Sequence, residues 1–209
     1  MQINYVRNMQ DNKNINLYKY DIESLLKLDF KSMVFKKTHI VYNKDVDLNT
    51  FKFKKDSIIV FFINCNVIGE VPSFITELHL LYSSIKAEIY TPLKMYSKDS
   101  YLELQQTSAH TSITTINSFL NMKMSNFSNC QIDNSEKCTT LISSLGMSSF
   151  FINNLGSLEM DLINFSRGIV KTSFEFKYLI QDFATILDRN KKHVYLNPHK
   201  NIKVKLKRK

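Results

Sequence analysis

The side chains of this sequence best placed to hold a ligand are cationic, and they crowd one end. Arg189, Lys191, Lys192, Lys200, Lys203, Lys205, Lys207, Arg208 and Lys209 lie in a stretch without a single acid. The chain has 28 Lys and Arg against 19 Asp and Glu, and every acid precedes residue 189. Residues 1–188 are therefore formally neutral, and the whole net charge of +9 belongs to residues 189–209. Clustered bases release counterions when they meet phosphates, so such a segment suits a polyanion; a merely solvated tail is the plainer alternative. From Lys203 to Lys209 the lysines alternate with Val204, Leu206 and Arg208, so an extended chain would set a row of ammonium groups along one edge. Lysine is a point charge that positions a phosphate and reads no base. His193, Tyr195 and His199 are interleaved with these bases, and their rings either stack on bases and sugars or pack a last strand.

Residues for covalent or metal chemistry are not spaced to support it. Cys65, Cys130 and Cys138 form no CxxC pair, and the five His form no HExxH pattern, so reduced structural thiols and no metal are expected. With four Gly the chain cannot build a GxGxxG or GxxxxGK[ST] phosphate loop, and no GxSxG elbow is present. His110 lies in the Ser-rich TSAHTS, which reads as turn and cap chemistry. No pair of carboxylates stands out as acid and base. The expectation is a protein that is not an enzyme, has no cofactor and acts on no small-molecule substrate.

A content of 44% hydrophobic residues is enough for a core, and 4 Gly with 3 Pro argue against a low-complexity chain. The longest apolar run, Ile58 to Ile63, is far short of the ~20 residues of a spanning helix, so no membrane span is expected. The opening MQINYVRNMQDNKN lacks the apolar core of a secretory signal and fits a transit peptide poorly. Asp21 can cap a short helix, IESLLKLDF. SIIVFFINCNVI, apolar on both faces, reads as a central strand. ELHLLY and IKAEIY read as a hairpin, and YLELQ as a further strand. Over 107–124 the apolar residues Ile113, Ile116, Phe119, Leu120 and Met124 follow a helical stripe. Strand-like runs then return, and the strongest helical stripe is 177–190, with Tyr178, Ile180, Phe183, Ala184, Ile186 and Leu187. Strands then a helix, twice, read as an α+β fold: two tandem small sheet-plus-helix domains at 71–127 and 128–209, an N-terminal extension at 1–70, and a basic C-terminal tail.

This order resembles the universal family of ribosomal large-subunit protein six. LGMSSFFINNLGSLEMDLINFSRGIV resembles that family's strand block, with Leu158, Met160 and Leu162 on the alternating face, Gly146 at its opening and Ser166 near its serine. YLIQDFATILDR resembles its helix, through Gln181, Phe183, Ala184 and Arg189. IYTPLK resembles its Gly-Pro-Leu-Gly turn with both glycines replaced, and AHTSITTINSFL its Gly-Thr-x-Arg helix. The likeness covers roughly 77–209. It implies a structural constituent of the large ribosomal subunit, with large-subunit ribosomal RNA and neighbouring ribosomal proteins as partners. The RNA-binding residues would be Arg189, Lys191, Lys192, His193, Tyr195, His199, Lys200, Lys203, Lys205, Lys207, Arg208 and Lys209. The 20 Asn and 24 Lys against 4 Arg point to an AT-rich genome. An organelle-encoded copy in the mitochondrial matrix would account for that bias. A basic viral matrix or virion protein, binding lipid or genome, is the rival reading.

Overall fold

In the computed structural model the described residues are 6–8, 13–30, 37–107, 109–125, 128–135, 137–144, 148–154, 156–162, 166–172, 177–180, 184–188 and 202–205. Their strands are short and nearly all parallel. One sheet runs, in spatial order, β3 (Thr38–Tyr42), β5 (Ile59–Ile63), β7 (Glu77–Leu81), β9 (Leu93–Lys98), β11 (His110–Ile116), β13 (Asn129–Asn134), β15 (Ser149–Asn154), β17 (Arg167–Thr172) and β19 (Thr185–Asp188). The other runs β4 (Asp45–Asp47), β6 (Asn66–Glu70), β8 (Ser84–Ile89), β10 (Tyr101–Gln106), β12 (Phe119–Met124), β14 (Thr139–Ser144), β16 (Ser157–Leu162), β18 (Lys177–Ile180) and β20 (Ile202–Lys205). The chain alternates between the sheets, so each strand meets its parallel neighbour only after crossing the opposite sheet. The result is a β-solenoid. Parallel pairing needs a crossover of a dozen or more residues, and here the other sheet's strand supplies most of it in place of a helix.

Each coil buries one face of each strand. In β16 Leu158, Met160 and Leu162 point inward while Ser157, Glu159 and Asp161 face water. Along the axis, like positions stack: Val60, Leu78, Met95 and Ile113 are register partners roughly 18 residues apart. Phe150 packs over Gly168, its register partner, where an added Cβ would lie 2.2 Å from the ring.

From β3 to β12 each corner from the first sheet to the second takes two residues. Asn43, Asn64, Tyr82, Asp99 and Asn117 all take a left-handed backbone with φ between 47° and 52°. Asn and Asp tolerate that region better than most residues. In the last four of these corners a small buried side chain follows. Ser83 Oγ accepts from Cys65 N at 3.1 Å, Ser100 Oγ from Ser83 N at 3.2 Å, and Ser118 Oγ from Ser100 N at 3.2 Å. Outside this ladder, Asn64 Nδ2 donates to Asn43 Oδ1 at 2.8 Å.

Residues 16–30 lie against the outer face of the first coils. Asn16 caps a 3₁₀ turn (Leu17–Lys19), and Asp21 Oδ1 accepts from Ser24 N at 2.7 Å to cap α1 (Ile22–Leu26), as the sequence indicated. Leu17, Leu25 and Phe30 form a second apolar cluster with Phe61, Ile63 and Leu81. The Ile58–Ile63 run is therefore covered on both faces, from inside by the solenoid core and from outside by this segment. Ahead of it, β1 (Val6–Asn8) and β2 (Lys13–Ile15) make an antiparallel ribbon.

The expected α+β architecture of two sheet-plus-helix domains is replaced by this solenoid. Pairing runs unbroken across both expected boundaries, from β5 to β7 over residue 70 and from β11 to β13 over residue 127. The stripe over 107–124 is two strands, β11 and β12, bent at Asn117 and Ser118; Ile113 and Leu120 face inward, while Ile116 and Phe119 are half-buried. Its threonines suit strands, and inward Thr111 and Thr115 are hydrogen-bonded to Gln106 and Asn134. Within the stripe expected over 177–190 the described residues 177–180 and 185–188 are strands β18 and β19, with Tyr178, Ala184 and Ile186 buried. ELHLLY and IKAEIY are strands β7 and β8, yet they belong to different sheets and do not pair as a hairpin.

Candidate functional site

Of the twelve residues the sequence nominates, Lys203 and Lys205 fall within the described residues. They lie on β20, which pairs antiparallel with β18, Lys203 opposite Leu179 and Lys205 opposite Lys177. Arg189, Lys191, Lys192, His193, Tyr195, His199, Lys200, Lys207, Arg208 and Lys209 lie outside them, as do Gly146, Gln181 and Phe183. Ile202–Lys205 is extended, as the last strand of the second sheet.

A second basic feature sits at the opposite edge, in the loop from β4 to β5. Asp47 organises its start: its carbonyl accepts from Thr50 N at 3.1 Å and Phe51 N at 2.9 Å, and its carboxylate from Asn49 N at 3.0 Å. Asn49 Oδ1 in turn accepts from Glu70 N at 3.1 Å, tying the loop to the next coil. Gly69 allows that approach; it has φ of 109°, and a Cβ there would lie 2.9 Å from Asn49. The sequence FKFKK then alternates rings and ammonium groups. Phe51 and Phe53 pack edge-on with centroids 4.9 Å apart, Phe53 meets Phe74 at 5.7 Å, and His39 meets Phe51 at 5.6 Å. His39 Nδ1 accepts from Lys54 N at 3.0 Å. Burial holds the His39 imidazole below its ordinary pKa, and the nearby Lys54 and Lys44 push it the same way. Phe51, Phe53 and Phe74 with Pro72, Lys54 and Lys55 line a groove of about 590 Å³. Sequence reasoning passed over this loop. Its signal was the Phe-Lys alternation of Phe51 to Lys54, with Lys55 beside it.

The outer face of the second sheet carries a shallower groove of about 500 Å³, lined by Glu70, Lys86, Glu88, Glu103 and Lys123 among others. Within it Lys86 Nζ lies 3.0 Å from Glu103, and the Tyr90 hydroxyl donates to Glu88.

Under residues 16–30 lies a polar chain. The Tyr18 hydroxyl donates to His79 Nδ1 at 2.5 Å, and His79 Nε2 donates to Glu77 Oε1 at 2.6 Å. The imidazole is sandwiched between Phe61, at 3.9 Å and 8°, and Tyr96, at 4.9 Å and 14°. Burial holds His79 below its ordinary pKa in spite of Glu77, and raises the Tyr18 hydroxyl. Lys98 Nζ donates to the carbonyls of Tyr18 and Tyr20. With His79 1% exposed, this chain fastens the N-terminal segment to the first coils.

The three cysteines are buried free thiols, and burial pushes Cys130 up to about 12. Among the described residues no group of His, Cys, Asp or Glu is arranged to hold a metal, and no helix is long and apolar enough to cross a membrane. No protein-family model matches the chain, no curated protein is similar to it, and no solved structure matches it.

Proposed function

We propose that this chain is a non-catalytic scaffold that binds RNA through its basic C-terminal segment. The observation that carries the reading is the charge asymmetry: residues 1–188 are neutral, and all of the +9 lies in residues 189–209. The pairing of β20 with β18 supports it, because it ties part of that segment to a sheet edge and so lowers the entropy lost when a ligand is bound. The ribosomal setting in the mitochondrial matrix, with large-subunit RNA and neighbouring ribosomal proteins as partners, is a narrower form of the proposal. It rests on the basic segment and on the Leu158, Met160, Leu162 alternation, since the helical part of the resemblance is two strands.

Filter binding at several salt concentrations tests it. If six phosphates of a duplex are covered, log K falls against log salt with a slope of about −5. Replacing Lys203, Lys205 and Lys207 with Gln leaves the backbone pairing of β20 available and should flatten the slope by about 2 to 3, alike for unrelated RNA sequences. An unchanged slope would refute the proposal. Loss of binding to anionic vesicles, with RNA binding intact, would favour the virion reading.

A further inference from the structure

We propose that the groove between the loop 48–58 and Phe74 is a stacking site for bases of single-stranded nucleic acid, with Lys54 and Lys55 meeting its phosphates. This rests on the RNA reading above and adds a second site of different selectivity. Single strands are held by combining aromatic faces for the bases with a cationic track for the backbone. Both parts occur here within one turn of chain. Phe74 is 49% exposed although it is a large apolar ring, and Phe51 and Phe53 stand half-buried behind it on the solenoid core. Lys54 and Lys55 are exposed, and Asp56 is the one acid among the described residues lining the groove. The downward push of Lys54 and Lys44 on His39 reports the same positive field at the base of the loop.

A planar ring fits this shape better than a lipid chain does. The phenyl rings of Phe51 and Phe53 are packed against the core and do not project as a wedge, and the site is concave. A duplex, whose bases are stacked on one another, has no ring to offer. The groove and β20 lie at opposite edges of the solenoid, about 38 Å apart by eight strand spacings of ~4.8 Å. One extended strand can therefore touch both.

The test uses the full chain and fluorescence anisotropy with a labelled oligouridylate and a labelled RNA duplex, each of about twenty units. Phe74→Ala should lower affinity for the single strand about tenfold, leave the duplex affinity and the salt slope unchanged, and keep the circular dichroism spectrum. Lys54→Gln with Lys55→Gln should reduce the single-strand slope by about 1.4, at roughly 0.7 per phosphate. Equal loss on strand and duplex, no loss on either, or a loss confined to anionic vesicles would overturn the proposal. The two sites fail separately. If the Lys203, Lys205 and Lys207 variant abolishes all binding while Phe74→Ala is silent, the groove is excluded and the C-terminal reading stands. If that variant is silent while Phe74→Ala weakens the single strand, the C-terminal reading falls and the groove stands.

Discussion

His79 shows how one buried polar residue fixes a segment far from it in sequence. Its ring is neutral, accepts from Tyr18 and donates to Glu77, so both ring nitrogens of this buried side chain are paired. Burial lowers its pKa below the ordinary 6.5, hence the unfolded chain takes up the proton first as pH falls. The stability this group contributes is complete above about 6.5 and declines as pH falls toward the folded value. Urea midpoints should therefore drop as pH falls below about 6.5, and His79→Phe should remove that part of the slope. Asp21 acts in a separate window. Its bonds from Ser24 lower its pKa from 3.8, so its contribution is lost only in stronger acid. Gly168 gives a purely steric test. Gly168→Ala should cost about 1–3 kcal/mol in denaturant unfolding, because the new methyl collides with Phe150. Phe150→Leu in the same chain should recover part of the loss, a coupling expected only for residues in contact.

At the scale of elements, the N-terminal segment and the corners carry the argument. Parallel sheets are usually covered on both faces, and here residues 16–30 provide that cover over the first coils. Leu17 and Leu25 are fully buried there, so Leu25→Ala should lower stability by about 2–4 kcal/mol, read as a shift in urea midpoint. The outer face of Phe61, Ile63 and Leu81 would then be partly uncovered, and dye binding to exposed apolar surface should rise. Several of these elements were legible. The Asp21 cap and the strand YLELQ follow from local pattern, whereas SIIVFFINCNVI, read as one central strand, is two strands of different sheets, β5 and β6, turned at Asn64 and Cys65, with its 58–63 part covered on both faces. The two long helices were not legible, because a 3.6-residue stripe and two short strands joined by a corner place apolar residues at overlapping positions. Ser118 after Asn117, Ser100 after Asp99 and Ser83 after Tyr82 recur roughly 18 residues apart, and that repeat is the signal that would have separated the readings.

For the molecule as a whole, the solenoid sets the 48–58 loop and β20 at opposite ends of its stacked coils. Coils of this kind interact chiefly with their neighbours, so damage stays local: Gly168→Ala should leave the first coils folded, while Leu25→Ala acts at the other end. Covering both basic features with one strand predicts that affinity for oligouridylate rises steeply once its length spans the ~38 Å between them. An oligomer series in the anisotropy assay should show that step, and the Phe74→Ala chain should lose it.

The sequence alone determined composition, charge placement and the alternation of runs such as YLELQ and SLEMDL, because these depend on residue order and on the two-residue period of an extended chain. It placed the bases of residues 189–209 beyond a neutral body without any knowledge of fold. The tertiary structure decided how the strands meet. Which run pairs with which is set by contacts between residues roughly 18 apart, by left-handed corners at Asn64, Asp99 and Asn117, and by a Ser ladder that exists only once the coils are stacked. It also decided that Tyr18 reaches His79 and that Phe51, Phe53 and Phe74 share one groove, since side chains distant along the chain come together only when the coils close.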